Sequence, residues 1–449
     1  SHYSPIESSI FWRFSQKGYH LAHNTRLRYI TRFFETLRDE GVGKALGKVY
    51  QKLSFAFRLP SSHQQELDPE LKTLMDNMLS SIKQRSCKGV FVVTSAFVFD
   101  ELYNQRVINL AKFLANNDWI VIYVAWRWHR KDPMSSIGGE VYKNVFQIPI
   151  DMFLDNFSAL KDFPASWKKR LVIEYPHPDF FLPAIKLRDD GFELIYEIID
   201  EWEEFHEVGQ AIWFDKDMEE AFVINAKLVT AVAPSLVNKF SHLRTDILLS
   251  PNGYDPNLLG KVVSDQANLS KEKRNTLHLG YFGHLTASWF DWDFLISVLD
   301  LAQLQGINLH IHIIGYGEEN LESRMAKYSD RITFYGKVHP SDLYEHTKDW
   351  DVAFIFFKKG KLSEAVDPIK IYEYLYFGLP VLVKGITHLY RTPFTDVVDS
   401  ASDVLQILAD IQRNGEERYT EQQEMLKSFV ANTTWVKRFE TFLQLLENK

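Results

Sequence analysis

The chain has 449 residues, 45% hydrophobic and 24% charged, which is the composition of a globular protein with enough apolar mass for two or three domains. Its single cysteine, Cys87, excludes an internal disulfide framework and a cysteine-based zinc site, and it fits a reducing compartment. The net charge is −8, with +6 on residues 1–60 and −14 on the rest, and an acidic body argues against a general nucleic-acid-binding protein.

Residues 1–85 form a basic region that we predict to be a helical extension followed by a linker. Leu27, Ile30, Phe33 and Leu37 recur at spacings of three and four with arginines between them, which is typical of an amphipathic helix. Such a helix either docks on the next domain or lies on an anionic membrane surface. No apolar run approaches the roughly 20 residues of a membrane span. We therefore expect a cytoplasmic protein, either free or peripheral at the inner face of the membrane.

Residues 86–258 alternate short apolar runs with segments of helical periodicity. Continuous apolar strands separated by helices are typical of a parallel sheet buried on both faces, so we predict a parallel α/β domain. The predicted strands are Val90–Val93, Trp119–Ala125, Leu171–Glu174, Leu194–Ile199, Leu228–Val232 and Ile247–Leu249.

A polar stretch over residues 256–275 predicts a linker, and a second parallel α/β domain follows over residues 274–432. Residues 433–449 contain a final amphipathic helix. Neither domain opens with GxGxxG, and GxxxxGK[ST] and HExxH are absent, so no motif indicates classical dinucleotide binding, a P-loop or a helical zinc site. The predicted strands of this second domain are Leu277–Phe282, Leu309–Ile314, Ile332–Tyr335, Val352–Phe356 and Val381–Val383.

Residues 364–383, EAVDPIKIYEYLYFGLPVLV, predict a helix that is capped by Asp367, ended by Gly378 and followed by a strand. The helix would begin at the carboxyl edge of the sheet, where its N–H groups and dipole favour an anion. Lys370 adds a positive charge in the first turn, and Glu373 lies three residues on. A cation beside a carboxylate suits the phosphates and vicinal hydroxyls of a nucleotide diphosphate. The alternative is a plain ion pair at a helix start.

The segment DPIKIYEYLYFGLPVL resembles the signature P-x-K-x-x-E-Y-x-x-x-G-x-P-V of GT-B glycosyltransferases. The segments LSPNGYD, LGYFGHL, IGYGEEN and FYGKVHP resemble further motifs of that family and occur in its order. Over residues 89–446 the chain is similar to glycosyltransferase family 4 and to related enzymes of bacterial polysaccharide assembly. The resemblance implies a GT-B fold of two Rossmann-like α/β domains facing a cleft, with the acceptor domain first and the nucleotide-sugar donor domain second.

The resemblance also implies roles for individual residues of the donor domain. Lys370 would neutralise the donor diphosphate, and Glu373 would bind the ribose hydroxyls. Backbone at Lys337 and Val338 would meet the base, although a solvated Lys337 is the alternative. Glycine loops would let the backbone approach the phosphates and would shape the floor of the cleft, with plain turns as the alternative; these positions are Gly283, the adjoining His284, Gly315 and Gly317.

Two further positions, Lys359 and Ala365, concern the binding of the donor phosphates and the donor sugar. Lys359 is one of three lysines after the predicted strand Val352–Phe356, and it either supplements the phosphate-binding set or lies in a solvated loop. Ala365 stands eight residues before Glu373, where many relatives carry the first glutamate of an E-x7-E motif. The sequence therefore predicts neither the donor sugar nor whether transfer inverts or retains the anomeric configuration.

Glycosyl transfer passes through an oxocarbenium-like state while a nucleoside diphosphate leaves, and Lys370 would stabilise the departing charge. Because no metal motif is found, we expect metal-independent catalysis and no cofactor. An inverting enzyme also needs a general base. Asp200 is the first candidate because it ends an apolar strand, with Asp100 and Glu101 second and His177 third. An exposed acidic helix start is the alternative for Asp200.

The predicted activity is transfer of a hexosyl or related group from a nucleotide sugar to a saccharide or lipid-linked saccharide, in bacterial surface polysaccharide or glycan assembly. Residues 1–60 would contact an anionic membrane. Two alternatives stay open: a nucleotide-sugar 2-epimerase of the same fold, and a non-catalytic partner subunit, which the missing E-x7-E spacing favours.

Overall fold

The computed structural model describes residues 69–100, 104–126, 134, 136–260, 275–317 and 321–448. The chain divides into two compact units, Ser1–Glu66 and Leu67–Lys449. The first unit, and with it the predicted basic extension over residues 1–60, lies outside the described residues. In the part that is described, no helix is long and apolar enough to cross a membrane.

The second unit contains two sheets, and we call the regions around them the first lobe and the second lobe. The strands of the first sheet are β1 (Gly89–Ser95), β2 (Ile120–Ala125), β3 (Glu140–Tyr142), β4 (Val145–Pro149), β5 (Lys168–Ile173), β6 (Glu193–Ile198), β7 (Leu228–Ala231) and β8 (Leu248–Leu249). Their order is β3-β4-β2-β1-β5-β6-β7-β8, and every neighbouring pair except β3–β4 is parallel.

The second sheet is parallel throughout. Its strands are β9 (Leu277–His284), β10 (Leu309–Tyr316), β11 (Ile332–Gly336), β12 (Val352–Phe356), β13 (Val381–Lys384) and β14 (Thr395–Val397). They follow the order β11-β10-β9-β12-β13-β14. The prediction of two parallel α/β domains is therefore confirmed.

Helices cover both sheets, which is why strands such as β1, β2 and β12 are buried along their whole length. In the first lobe the helices are α1 (Pro69–Lys83), α2 (Arg106–Asn116), α3 (Ile150–Asn156), α4 (Phe181–Asp189), α5 (Trp202–Glu207), α6 (Lys216–Asn225), α7 (Pro234–Phe240) and α8 (Pro256–Leu259). After the second sheet begins they are α9 (Trp292–Leu304), α10 (Leu321–Arg324), α11 (Leu343–Thr347), α12 (Lys361–Glu364), α13 (Ile369–Tyr376), α14 (Ala401–Asn432) and α15 (Trp435–Asn448).

Two segments differ from the expected boundaries. Helix α1, which we assigned to the extension, belongs to the second unit, and its residues Met75, Met78, Leu79 and Ile82 are buried. Residues 256–259 open the predicted linker but form the short helix α8, because Asp255 accepts the N–H of Asn257. Residues 261–274 of that linker lie outside the described residues.

The topology places two edges where ligands can bind. Strand β9 lies between β10 and β12: the connection after β9 runs to β10 on one side, and after β11 the chain returns to β12 on the other side. Strand β1 lies in the same way between β2 and β5. Ligands of open α/β sheets bind at the carboxyl ends of strands at such a switch point. Helix α15 packs on α2, with Trp435, Phe439 and Phe442 in the apolar cluster of the first lobe.

Candidate functional site

Lys370 lies in the first turn of α13, beside the carboxyl end of β9. Its ammonium is 5.3 Å from the ring centroids of both Tyr281 and Phe357. Among the described residues it has no hydrogen-bond or ion-pair partner. Burial lowers the pKa of this ammonium to about 8, although Glu373 opposes the shift. A desolvated cation with unused donors, at a helix N-terminus, is a group that an anion would satisfy.

Gly283 makes this placement possible. A Cβ atom at position 283 would lie 2.8 Å from Cε of Lys370, and the backbone there has φ +139°, which L side chains rarely adopt. A side chain at 283 would therefore strain the backbone and displace the lysine. The glycine keeps the end of β9 open beneath Lys370.

Asp367 does not cap α13, so that prediction is wrong. The N-cap is Pro368, and no side chain caps the helix. The Asp367 carboxylate instead accepts the hydroxyl of Tyr372 at 2.9 Å and the backbone N–H of Asn252 in the first lobe. Because the carboxylate does not cap the helix, the backbone N–H groups of Ile369 and Lys370 have no side-chain acceptor among the described residues, whereas that of Ile371 donates to the carbonyl of Pro368.

Glu373 faces the first lobe. It is 8% exposed, and its Oε1 accepts a hydrogen bond of 2.6 Å from the amide of Asn104. Burial raises the pKa of this carboxyl group, while the hydrogen bond from Asn104 and the charge of Lys370 lower it. The residue predicted to bind ribose is thus held by a residue of the other lobe.

The predicted glycine loops meet around His284. A Cβ atom at Gly315 would lie 2.1 Å from the carbonyl oxygen of Gly283, and one at Gly317 would lie 2.5 Å from Nε2 of His284. Burial, with a contribution from the nearby Lys370, lowers the pKa of His284. The structure therefore brings Gly283, His284, Gly315 and Gly317 together at the carboxyl ends of β9 and β10.

The residues expected near the base lie beside the same loops. Tyr316 at the end of β10 is 48% exposed, and its ring centroid is 5.2 Å from that of His284. The ammonium of Lys337 lies 4.1 Å from the Tyr316 ring centroid, while Val338 packs against the core of the second lobe. Lys337 is thus connected to the glycine loops through an aromatic side chain.

Lys359 is placed differently from Lys370. It pairs with Asp399 at 3.6 Å, and the described contacts do not connect it to Lys370 or Glu373. The adjoining Lys358 donates to the carbonyl of Ala287. These contacts support the solvated-loop alternative for this lysine-rich segment.

Asp200 follows the carboxyl end of β6. Among the described residues it has no hydrogen-bond partner, and burial, with a contribution from Glu201, raises its pKa to about 7. His177 is 2% exposed, and burial lowers its pKa to about 3, so it holds a proton poorly at neutral pH. Asp100 follows β1 and is partly exposed, and Glu101 lies outside the described residues.

Two polar residues, one half-buried and one buried, were not anticipated from the sequence. Asn104, just before α2, binds Glu373. Arg106 is 4% exposed and pairs with the buried Glu197 at 2.7 Å, and it also donates to the carbonyl of Pro251 at 3.3 Å. For Arg106 the available signal was a charged residue at the start of a mostly apolar helical segment.

Metal binding finds no support in the side chains that are described: no group of three or more His, Cys, Asp or Glu is placed to hold an ion. Metal independence itself remains a prediction.

Comparison with known proteins gave one family and a set of similar structures. Residues 276–403 match the family model described as Glycosyl transferases group 1. A search of curated proteins gave no match. Among solved structures, the apo form of the lipopolysaccharide outer core galactosyltransferase WaaB is 12% identical, with a TM-score of 0.55, covering 80% of this chain and 99% of that one.

Two further solved structures are similar to this chain over comparable shares of both chains. A glycosyltransferase from Rickettsia africae is 12% identical with a TM-score of 0.56, over 80% of this chain and 98% of that one. A trehalose-6-phosphate protein from E. coli, described as bound with UDP-2-fluoro glucose, is 11% identical with a TM-score of 0.56, over 80% and 99%. The structural likenesses show the fold, and the family match covers the lobe that carries Lys370. The described part of the chain therefore has the GT-B fold, and residues 276–403 within it match the family of glycosyl transferases group 1.

Proposed function

We propose that the chain transfers a sugar from a nucleotide-diphosphate sugar to a saccharide acceptor, and that the diphosphate binds at Lys370 and the N-terminus of α13. The observation that carries the proposal is the ammonium of Lys370, which lies against Gly283 with no partner among the described residues. Its position beside the switch point of the second sheet adds support. One protein of similar fold is described as bound with a UDP-sugar analogue.

The proposed chemistry is electrostatic. As the bond to the sugar breaks, negative charge gathers on the leaving nucleoside diphosphate. Lys370 and the open N–H groups of α13 are fixed beforehand, so they stabilise that charge without reorganisation. Glu373 accepts the ribose hydroxyls, and the backbone near Lys337 and Val338 meets the base. We propose that this set works without a metal ion.

Asp200 is the proposed base if transfer inverts configuration. A carboxyl group with a pKa of about 7 is half ionised near neutral pH, which suits proton transfer from an acceptor hydroxyl. The acceptor would bind in the first lobe, at the carboxyl ends of the strands that surround β6. A retaining reaction would leave Asp200 without this role.

The proposed acceptor is a saccharide or lipid-linked saccharide in bacterial glycan assembly, with residues 1–60 binding the anionic inner face of the membrane. The charge of +6 on those residues supports this. Liposome flotation of the full chain and of a chain lacking residues 1–60 tests it, and equal flotation of the two would contradict it.

The direct test of the donor site is nucleotide binding. Calorimetry with UDP, GDP and ADP should show binding of at least one, and Lys370→Ala should weaken that binding about a hundredfold, since it removes a half-buried cation. Lys348→Ala is the matched control, because Lys348 is exposed and pairs with Glu345 in its own helical turn.

Turnover of the donor should persist in EDTA. Incubation with the donor alone should give no epimer, which separates transfer from 2-epimerisation.

A further inference from the structure

Asn104 lies where the first lobe, the second lobe and the last helix meet. Its Nδ2 donates to Oε1 of Glu373 at 2.6 Å, although 269 positions separate the two residues. Its Oδ1 accepts from the indole N–H of Trp435 at 2.6 Å and from Nδ2 of Asn109 at 3.1 Å. One half-buried amide thus connects the carboxylate proposed to bind ribose with the first residue of α15.

The partners determine how this amide is oriented. An indole N–H can only donate, and an ionised carboxylate can only accept. The oxygen of Asn104 therefore faces Trp435, and its N–H faces Glu373. A flipped amide would put two donors together at Trp435 and two acceptors together at Glu373. Trp435 thus selects the orientation that Glu373 requires.

The hydrogen bond has two consequences for Glu373. It engages Oε1, while Oε2 has no hydrogen-bond partner in the described part of the chain. It also opposes the effect of burial, which raises the pKa of this carboxyl group. A donor aimed at the charged form favours ionisation, and only the ionised carboxylate can accept from two hydroxyls without donating.

We propose that Asn104 is a positioning residue for nucleoside recognition: by holding Oε1 of Glu373 it directs Oε2 toward the vicinal hydroxyls of the donor ribose, and Trp435 fixes its amide in the required orientation. The inference rests on the proposed function, because it assumes that Glu373 binds the ribose. It connects the last helix of the chain with the donor site through two side chains.

The alternative is that the contact only holds the lobes together. A contact of that kind would change stability without changing which nucleotides bind or how binding depends on pH. A positioning role predicts both changes, because losing the Asn104 hydrogen bond leaves Glu373 protonated up to a higher pH and its free oxygen wrongly aimed. Discrimination between ribose and dideoxyribose therefore separates the two explanations.

The test uses Asn104→Asp, which keeps the shape of the side chain but replaces the donor with an acceptor, and Trp435→Phe, which removes the N–H that orients the amide. Asn116→Ala is the matched control, because Asn116 lies at the other end of α2 and bonds Tyr142 there. Calorimetry from about pH 5 to pH 9 would compare the nucleoside diphosphate that the wild type binds best, out of UDP, GDP and ADP, with its 2′,3′-dideoxy counterpart.

In Asn104→Asp we expect about tenfold weaker binding of the ribose form near neutral pH, with little change for the dideoxy form. The pH below which binding falls should rise. Trp435→Phe should also weaken binding of the ribose form and raise the pH below which binding falls, but both changes should be smaller. If Asn104→Asp does not fold, Trp435→Phe provides the test. Asn116→Ala should match the wild type.

Unchanged discrimination and an unchanged pH profile in a folded Asn104→Asp or Trp435→Phe variant would overturn the inference while leaving the proposed function intact. If the wild type bound none of the three nucleoside diphosphates, the proposed function would fail and the inference with it.

Discussion

At the scale of single residues, burial makes the charge of Lys370 depend on pH in the physiological range. Its pKa of about 8 lies below the ordinary value for lysine, so the ammonium is lost as the pH rises through that value. We expect affinity for a nucleoside diphosphate to fall over about pH 7 to pH 9. Lys370→Arg should abolish this fall, because a guanidinium stays charged. Calorimetry of both proteins checks this, and an equal fall in the arginine variant would contradict it.

Gly283 gives a second prediction at this scale. Gly283→Ala should weaken nucleotide binding about tenfold or more, because the new Cβ would lie 2.8 Å from Cε of Lys370 in a backbone conformation that disfavours it. Gly306→Ala is the control, since position 306 also has positive φ (+68°) but open space around it. If both variants bound the nucleotide alike, close approach at 283 would not matter.

Asp200 gives a third prediction at the scale of single residues. If Asp200 is the general base, turnover should rise with pH through about 7, as its carboxyl group loses its proton. Asp200→Asn should lower kcat about 100-fold or more and leave donor binding unchanged. Full turnover by that variant would remove the assignment and favour a retaining reaction.

At the scale of secondary-structure elements, apolar runs predicted most of the long strands because strands such as β1, β2 and β12 are buried on both faces. The strands β3, β4 and β14 were missed. Strand β4 contains the polar Gln147, which is fully buried because its amide binds the backbone of Phe99 and Ser136. Such pairing depends on residues that are distant in sequence, so no local pattern reveals it.

The helix α13 shows how local rules can be overridden. Asp before Pro is a good sequence signal for an N-cap, but Asp367 bonds Asn252, which lies 115 positions earlier. Lys370, Glu373 and the glycine loops were recognised because they lie in short motifs. Asn104 was not, because its role depends on contacts with Glu373 and Trp435 that only the folded chain creates.

The buried pair between α2 and β6 permits a stability prediction. Arg106→Met should lower the free energy of unfolding by about 3–5 kcal/mol, because Glu197 would be left charged and buried without its partner. Adding Glu197→Leu should recover part of the loss. Urea denaturation of the two variants checks this, and equal stability of the single variant and the wild type would contradict it.

At the scale of the whole molecule, the two lobes of the second unit contact each other at several points. Ser235 of the first lobe donates to the carbonyl of Glu364 at 2.8 Å, and Glu204 pairs with Lys361 at 3.4 Å. The ring of Phe205, five residues after Asp200, lies 6.1 Å from that of Trp289. The segment after β6 is thereby brought to the loop that follows β9, as the proposed transfer from donor to acceptor would require.

The proposed function depends above all on a diphosphate binding at Lys370. A crystal structure of the chain with the nucleoside diphosphate that it binds best tests this most directly. We predict phosphate oxygens within hydrogen-bond distance of Nζ of Lys370 and of the first N–H groups of α13, with the ribose hydroxyls on Glu373. A nucleotide bound elsewhere, with Lys370 still unpartnered, would contradict the claim.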